Sequence, residues 1–393
     1  MPLLSIIIPT KNRYLYLYHC LKSISDQYLD QDVEIILHDN STDELTHEIK
    51  NIIDSNSKIK YHKVDGWLSA SENFDRAIGL ANGDYLTMIG DDDSVSKYLI
   101  DAVLFMQKNS VDALNTPFSH YLWPDTGSRV FKKGFSGVLN TKKFNSRILE
   151  LNINTEFNKM LLAGGTRLVE LPRMYYGIVK KDVVSKVKQT CDTYIPGPSP
   201  DMANAVSMSV FTNNIYYVNF PIFIAGNSNK STAGLGAKGA HVGKIEDVAF
   251  LPKDCAQKWS ELIPKFWSGP TIWAESAIKA MEACDKKKIN DFNYLNLYAN
   301  CMVFNSSWNH LTYSSINKYI SENKRNPIVV YTAIYYYIAI LWVERFKILS
   351  RNILKILKFK LTINNNSMAI ENVYCATEVL NEILSRKQNP FRV

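Results

Sequence analysis

Short apolar runs alternate with helical patterns through the first 90 residues, and this alternation constrains the fold more than any other feature. The apolar runs predict four strands, at residues 3–8, 33–38, 58–64 and 84–90. The stretches between them repeat apolar side chains at helical spacing and predict helices at residues 13–27, 43–54 and 69–83. This order predicts an α/β fold built on a doubly wound, mostly parallel, Rossmann-like sheet.

Polar clusters follow three of these strands. They are "PTKNR" at 9–13, "HDNSTD" at 38–43 and "GDDDS" at 90–94. Ligands of doubly wound sheets bind outside the carboxyl ends of the strands. We therefore expect the three clusters to meet in one site.

The acidic triplet Asp91–Asp93 predicts a cation site. The sequence has no glycine-rich phosphate loop, neither G-x-x-x-x-G-K-[ST] nor G-x-G-x-x-G after the first strand. A bound nucleotide therefore needs another source of positive charge for its phosphates. Carboxylates are hard oxygen ligands that suit Mg²⁺ or Mn²⁺. An acidic triplet is otherwise a solvated turn, but its place after a buried strand favours the cation.

Composition sets the broad class of the chain. Its 393 residues are enough for two domains, and a hydrophobic content of 46% is that of an ordinary folded protein. The net charge of +7 is mild for this length and does not indicate a nucleic-acid partner. The N-terminus lacks the features of a signal peptide, which predicts a cytoplasmic protein. The six cysteines follow no ligand spacing and are predicted to be free thiols: Cys20, Cys191, Cys255, Cys284, Cys301 and Cys375.

Four segments together resemble glycosyltransferase family 2, of the bacterial surface-polysaccharide type. They are "SIIIPTKNR", "IILHDNSTD", "NFDRAIGLANGDYLTMIGDDD" and "PSPDMANA", within residues 3–210. The resemblance implies an inverting enzyme with a GT-A domain, a UDP-, GDP- or dTDP-sugar donor, and Mn²⁺ or Mg²⁺ as cofactor. It also implies that the nucleotide contacts Pro9, Thr10, Asn12, Arg13 and Asp39.

The same resemblance assigns roles to the acidic triplet. Asp91 and Asp93 match the metal-binding motif of the family, and Asp92 falls near the ribose or the metal. His38 stands where the family more often has a second acidic residue.

Asp201 is the candidate general base. It follows a Pro/Gly loop and begins an apolar helix, where the helix N-terminus favours a carboxylate. On the residues alone it could be a simple helix-end charge, but the resemblance implies a base at this point of the fold. Such a base deprotonates the acceptor hydroxyl. Glu170 is the second candidate.

Two further stretches border this predicted site. Residues 164–182 are expected on the acceptor side, where Arg167, Arg173 or Tyr176 would meet the acceptor or instead serve as structural ion pairs and core. Residues 225–243 are rich in Gly and small residues and predict a mobile loop. Its Lys230 would close over the pyrophosphate, and His241 would be a third metal ligand.

The C-terminal part predicts membrane contact. We expect a GT-A domain at 1–245 and a mainly helical region at 246–393. Residues 327–343 form an uncharged run of 17 residues, short for a membrane span and equally suited to a helical bundle. Residues 344–361 predict a basic amphipathic helix for an anionic membrane surface, or a helix that packs on the protein. Its bases are Lys347, Arg351, Lys355 and Lys358.

These features predict a metal-dependent, inverting glycosyltransferase of bacterial capsule or O-antigen synthesis. Its acceptor would be a glycan, expected as a lipid-linked oligosaccharide, and the protein would lie on the inner face of the cell membrane. Two alternatives are a sugar-phosphate nucleotidyltransferase and a non-catalytic, membrane-bound glycan-binding protein.

Overall fold

The computed structural model describes residues 1–28, 30–126, 136–231, 242–360 and 370–392. In the helix that ends at Lys360, the side chains of residues 348, 349 and 351–360 are not described.

The chain forms two β-sheets in its N-terminal part. The strands are β1 Leu4–Thr10, β2 Val33–Asp39, β3 Ile59–Lys63, β4 Tyr85–Met88, β5 Ser94–Val95, β6 Ala113–Asn115, β7 Phe118–Leu122, β8 Val138–Asn140, β9 Ile148–Leu151, β10 Gly177–Lys180, β11 Ile215–Val218 and β12 Phe223–Asn227. The large sheet has the order β3-β2-β1-β4-β10-β6-β11-β9, and the small sheet has the order β5-β12-β7-β8.

The large sheet confirms the predicted α/β fold. Strands β3, β2, β1 and β4 are parallel, as are β6 and β11, whereas β10 and β9 run antiparallel to their neighbours. The sequence did not predict the small sheet, whose strands are short and separated along the chain.

Twelve helices of the described residues surround and extend these sheets. They are α1 Tyr14–Tyr28, α2 His47–Ser55, α3 Ala70–Gly79, α4 Leu99–Lys108, α5 Ile153–Leu162, α6 Lys181–Cys191, α7 Pro200–Ser209, α8 Gly269–Cys284, α9 Tyr294–Phe304, α10 Asn309–Glu322, α11 Pro327–Lys360 and α12 Val373–Ser385. Helix α2 begins four residues later than predicted, because Thr46 is its N-cap and accepts a hydrogen bond from the amide of Ile49.

Every residue of β1 and β2 is buried, because helices cover both faces of the sheet. Side chains alternate between the faces along a strand, so Ile6 and Ile8 join one core while Ile7 joins the other. This full burial explains why these strands are continuous apolar runs in the sequence.

A further core lies under the C-terminal helices. Residues of α8, α9, α10 and α11 pack there with Phe157 of α5 and Met202 of α7. Helix α12 instead returns to the first core through Val373, Ala376 and Leu380. The C-terminal region is thus mainly helical, as expected, while its last helix packs beside α1.

The prediction of six free thiols is wrong for one pair. Cys191 and Cys284 form a disulfide with a Cα–Cα distance of 6.2 Å, which joins the C-terminal ends of α6 and α8. The two residues lie 93 positions apart, and only the packing of the two helices brings them together. Cys20, Cys255, Cys301 and Cys375 are free.

Helix α11 contains both the apolar run 327–343 and most of the basic segment 344–361, which the sequence predicts separately. Residues Pro327–Lys347 of this helix have a mean hydropathy of 1.5, and only 17% of the most apolar window is buried. By length and composition this segment is able to cross a membrane. Of the four predicted membrane-binding bases, Lys347 is exposed, while the side chains of Arg351, Lys355 and Lys358 lie outside the described residues.

Candidate active site

The three predicted polar clusters meet at the carboxyl edge of the large sheet. The Thr10 hydroxyl donates a hydrogen bond of 2.6 Å to Asp91 Oδ2. The amide of Asn12 donates to Ser41 Oγ at 2.7 Å, and Asn12 Oδ1 accepts from the amide of Thr42 at 2.8 Å. Asn12 adopts a φ of 55°, a left-handed conformation that asparagine tolerates better than most residues. The loop after β1 therefore links the acidic triplet to the cluster after β2.

Arg13 lies between two carboxylates of the triplet. Its Nη1 is 3.0 Å from Asp91 Oδ1, and its Nη2 is 2.7 Å from Asp92 Oδ2. Nη2 also donates to Ser228 Oγ at 2.9 Å. Burial lowers the pKa of Arg13, but the two carboxylates outweigh burial and raise this pKa overall. Arg13 thus contacts the acidic triplet.

Asp91 is buried, and its Oδ1 accepts no hydrogen bond from the described part of the chain. Burial, helped by Asp92 and opposed by Arg13, raises the pKa of Asp91 to about 6. The carboxylates of Asp91 and Asp92 converge on one cationic group, so their oxygens fit a divalent cation in the same position. No group of three or more His, Cys, Asp or Glu side chains in the described ranges completes a metal site.

The third member of the triplet, Asp93, is held by the protein on both oxygens. Its Oδ2 accepts hydrogen bonds from the amide of Gly90 at 2.6 Å and from the Tyr176 hydroxyl at 2.8 Å. Its Oδ1 accepts from the amide of Gly226 at 2.7 Å. Burial and the neighbouring Asp92 raise the pKa of Asp93 to about 7. Its place among metal ligands stays a prediction.

Sequence reasoning missed the part of this site that comes from β12. A Cβ atom on Gly226 would lie 1.8 Å from the carbonyl oxygen of Asp92, so only glycine allows this approach. The next turn supplies the amide of Ser228, which donates to Asp92 Oδ2 at 3.2 Å. The signal in the sequence was Gly226, within the stretch 225–243 that is rich in Gly and small residues.

Asp39 lies at the end of β2 with hydrogen-bond donors around it. Its Oδ1 accepts from the amide of Ser41 at 2.9 Å. Its Oδ2 accepts from the hydroxyls of Tyr14 at 2.7 Å and Tyr61 at 3.0 Å. Sequence reasoning missed both tyrosines. They hold Asp39 in place at the strand end, and its role in base recognition stays a prediction.

Two other residues of this edge take structural positions. Pro9 is buried within β1 beside His38 of β2. His38 Nδ1 lies 2.5 Å from Asn73 Oδ1, and burial lowers the pKa of the imidazole.

Asp201 lies in the first turn of α7, directly after Pro200. Burial raises the pKa of its carboxyl to about 6, against an opposing effect of Arg173. After burial and Asp93, Asp201 further raises the pKa of Tyr175, which donates to Asp93 Oδ2 at 3.2 Å. Tyr175 thus contacts the acidic triplet and lies within electrostatic range of Asp201.

A polar cluster lies on the predicted acceptor side. Glu170 Oε2 is 3.5 Å from Arg173 Nη2 and accepts from Asn115 Nδ2 at 3.3 Å. Arg173 and Asn115 are both buried, and Arg173 Nε and Asn115 Oδ1 have no hydrogen-bond partner in the described structure. Burial raises the pKa of Glu170. These unsatisfied atoms suit a polar ligand.

The other residues predicted for this side point elsewhere. Arg167 pairs with Glu344 of α11, and Tyr176 bonds Asp93. Lys230 is exposed in the turn after β12. The predicted loop 225–243 begins inside β12, and residues 232–241, including His241, lie outside the described residues.

Comparisons with known proteins show what the segment that carries this edge is similar to. The family model for glycosyl transferase family 2 matches residues 5–163. An abequosyltransferase of Salmonella typhimurium is 37% identical over 98 residues, which are 24% of this chain and 29% of that protein. A GalNAc(5)-diNAcBac-PP-undecaprenol β-1,3-glucosyltransferase of Campylobacter jejuni is 34% identical over 97 residues, 24% of this chain and 31% of that protein. The chain thus spans less than a third of the length of these two relatives.

Solved structures that are similar to this chain include TarS residues 1–349 of S. aureus in complex with UDP-GlcNAc. It has a TM-score of 0.45 and 14% identity, covering 76% of this chain and 80% of that chain. The mannosyltransferase PcManGT of Pyrobaculum calidifontis, in complex with GDP-Man and Mn²⁺, has a TM-score of 0.39 and 14% identity. It covers 80% of this chain and 85% of that chain.

The matched segment contains β1, β2 and β4, together with the loop after β1 and the acidic triplet. Residues 5–163 of this chain are therefore similar to glycosyl transferase family 2.

Proposed function

We propose that the chain is an inverting glycosyltransferase that moves a sugar from a nucleotide-sugar to a glycan acceptor. The observation that carries this proposal is the meeting of Thr10, Arg13, Asp91 and Asp92 at one edge of a segment similar to family 2. The donor would be a UDP-, GDP- or dTDP-sugar. Asp39 and the loop after β1, with Pro9, Thr10 and Asn12, would hold its nucleotide.

Asp91 and Asp93, with Asp92 beside them, would hold Mn²⁺ or Mg²⁺, and the bound cation would supply positive charge for the leaving diphosphate. Arg13 already lies against the carboxylates of Asp91 and Asp92 and offers a second positive charge at the same place. Lys230 and His241 are proposed to close over the diphosphate, with His241 as a further metal ligand.

Asp201 is the proposed general base. Its carboxylate would accept the proton of the acceptor hydroxyl as that oxygen attacks the anomeric carbon. One displacement of this kind inverts the configuration at the anomeric carbon and needs no nucleophile from the enzyme. The cluster of Asn115, Glu170 and Arg173 lies on the same side, and its unsatisfied polar atoms suit the hydroxyl groups of an acceptor sugar.

We propose a lipid-linked oligosaccharide of bacterial capsule or O-antigen synthesis as the acceptor. One relative carries an undecaprenol-linked saccharide in its name, and α11 exposes an apolar segment followed by basic residues. The protein would lie on the inner face of the cell membrane, with residues 1–245 as the catalytic domain and 246–393 as the region of membrane contact.

The test is the release of nucleoside diphosphate from a panel of UDP-, GDP- and dTDP-sugars, with and without glycan acceptors. A glycosyltransferase releases the diphosphate faster with one acceptor, and the product gains one sugar. Release of pyrophosphate from a nucleoside triphosphate and a sugar phosphate would instead indicate a nucleotidyltransferase. Binding of the panel without any release would indicate a non-catalytic protein.

The cation is tested by calorimetry with UDP and GDP in Mn²⁺ and in EDTA. We expect nucleotide binding only with the cation, because no glycine-rich loop neutralises the diphosphate. Asp91→Asn should weaken this binding in Mn²⁺. Equal affinity in EDTA would contradict the metal assignment.

A further inference from the structure

A groove of about 490 Å³ lies between α9 and α11 and shares no lining residue with the candidate active site. Its lining consists of the apolar side chains Met302, Val303 and Ile338, the polar side chains Ser306 and Asn309, and Phe304, Trp342 and Arg345, which are called its mouth below. The volume is within the range of about 300–1,000 Å³ that is typical of small-molecule sites.

The mouth of the groove holds a positive charge between two aromatic rings. The Arg345 guanidinium lies 5.0 Å from the centre of the Trp342 ring and 5.5 Å from that of Phe304. Such contacts orient a guanidinium but do not neutralise its charge. No carboxylate lies within 4.0 Å of it in the described part of the chain, and the adjacent Glu344 pairs with Arg167. Arg345 is therefore available to an anion.

An exposed apolar surface continues outward from this mouth along α11. Trp342 is 52% exposed and Phe346 is 73% exposed. Both lie in the last turns of the segment that is apolar enough to cross a membrane. Aromatic and basic side chains at the end of an apolar helix are typical of the membrane interface. The groove thus places three apolar side chains beside a cation, near the end of a segment that is apolar enough to cross a membrane.

A second copy of this chain suits the groove less well. In a two-fold dimer the same surface contacts itself. Such a contact would bring the Arg345 and Lys347 charges of both copies closer together, and like charges repel. An anionic amphiphile instead neutralises the guanidinium and covers the apolar wall.

We propose that this groove binds one anionic phospholipid, with the hydrocarbon chain along Met302, Val303 and Ile338 and the phosphate against Arg345. The proposal rests on the proposed membrane contact of α11, and it is independent of sugar transfer.

The first experiment uses lipids as monomers, so that the full chain needs no membrane to bind them. We expect lysophosphatidic acid to bind at least 10-fold tighter than the monoacylglycerol with the same acyl chain. Arg345→Gln should lose at least 10-fold in affinity for lysophosphatidic acid, because the variant loses a charge-assisted hydrogen bond to the phosphate. Lys347→Gln, the matched control, removes the same charge from the same helix and should change affinity less than about 2-fold.

Equal affinity for the two lipids, or equal losses in the two variants, would overturn the proposal. Thermal unfolding of each variant checks that the fold is intact. Since the assay contains no sugar nucleotide, its result is separate from the outcome for glycosyl transfer.

The second experiment tests where the acyl chain of the lipid binds. A brominated acyl chain should quench tryptophan fluorescence in the wild-type protein, and Trp342→Phe should remove most of that quenching. Quenching that survives this substitution would place the chain elsewhere and overturn the proposal. Polyprenyl phosphate is added as a competitor. If it displaces lysophosphatidic acid at much lower concentration, the occupant is the lipid of an acceptor, and the assignment to a membrane phospholipid is wrong.

Discussion

Asp91 and Asp92 place two carboxylates side by side at a buried edge of the sheet, and Arg13 contacts both. Adjacent buried carboxylates repel each other and lose hydration, so each depends on a nearby cation. In this structure the guanidinium is that cation. A divalent ion that arrives with the nucleotide would share the position.

Arg13→Ala should therefore destabilise the protein. Removing one partner of a buried ion pair typically costs about 3–5 kcal/mol. We expect a lower melting temperature by thermal unfolding at pH 7.5, with Mn²⁺ restoring the variant more than it stabilises the wild type. Lys11→Ala is the control, because Lys11 bonds the carbonyl oxygen of Leu68 and not the triplet. If Arg13→Ala melts like the wild type, Arg13 is not the counter-ion that holds this site.

The pKa of Asp201 gives a pH prediction. Burial raises this pKa to about 6, so the carboxyl is protonated below that pH and cannot accept a proton. We expect kcat/KM to rise with pH through about 6. Stability should change in the opposite direction, since a native pKa above the unfolded value of 3.8 means that protonation favours the native state. The contribution of Asp201 to the free energy of unfolding should fall as pH rises from about 4 to about 6.

Asp201→Asn separates the base from the fold. The substitution is nearly isosteric, so UDP or GDP binding measured by calorimetry should be unchanged. Transfer should fall by about 10²–10⁴-fold, the usual contribution of a general base, and the rise of kcat/KM near pH 6 should disappear. Near wild-type transfer would move the base elsewhere, with Glu170 as the next candidate.

At the scale of elements, β12 closes the site from the small sheet. Its pairing with β5, directly after the triplet, brings Gly226 against the backbone of Asp92. The acidic triplet is thus held between the end of β4 and a strand that comes much later in the chain.

Gly226→Ala should disrupt this closure. The added Cβ would lie 1.8 Å from the Asp92 carbonyl oxygen, a backbone atom that cannot move alone. Overpacking usually costs about 1–3 kcal/mol, and we expect a loss at the upper end or beyond. Thermal unfolding measures the loss, and nucleotide binding should weaken with it. In Gly243→Ala the new Cβ has no atom within 4 Å, so this control should stay close to wild type.

At the scale of the whole molecule, α11 extends from the helical core with most of its apolar segment exposed. The sheet edge carries the proposed chemistry, and α11 carries the proposed contact with the membrane. A lipid-linked acceptor would need both.

Replacing Lys347, Arg351, Lys355 and Lys358 with glutamine should release the protein from anionic liposomes. Each base near an anionic surface contributes about 1 kcal/mol, so four amount to roughly 4 kcal/mol, or about a thousandfold in partitioning. Sedimentation with liposomes measures the release, and high salt should weaken wild-type binding as well. The matched control replaces four exposed lysines elsewhere: Lys50, Lys60, Lys286 and Lys287.

The control should still sediment, and the quadruple variant should keep its activity on a soluble acceptor. If the quadruple variant still sediments, the apolar segment inserts without the bases. If the wild type never binds liposomes, α11 is not a membrane contact.

The sequence by itself determined the four parallel strands β1–β4 of the large sheet and the edge where the candidate site lies. The apolar runs that became β1, β2 and β4 are buried on both faces, so their pattern is local and strong. Parallel pairing then brings residues 9–13, 38–43 and 90–94 together, because each follows the carboxyl end of a strand. The position of Asp201 at the start of α7 was also predicted, from the Pro/Gly loop before it and the apolar helix after it.

Only the tertiary structure decided what those side chains contact. Arg13 meets Ser228 across 215 positions, Gly226 meets Asp93 across 133, and the Cys191–Cys284 disulfide spans 93. No periodicity encodes such contacts, since they depend on how separate strands and helices pack. The small sheet that supplies Gly226, the tyrosines around Asp39 and Asp93, and the groove beside Arg345 follow from that packing, whereas strand and helix patterns follow from burial of neighbouring residues.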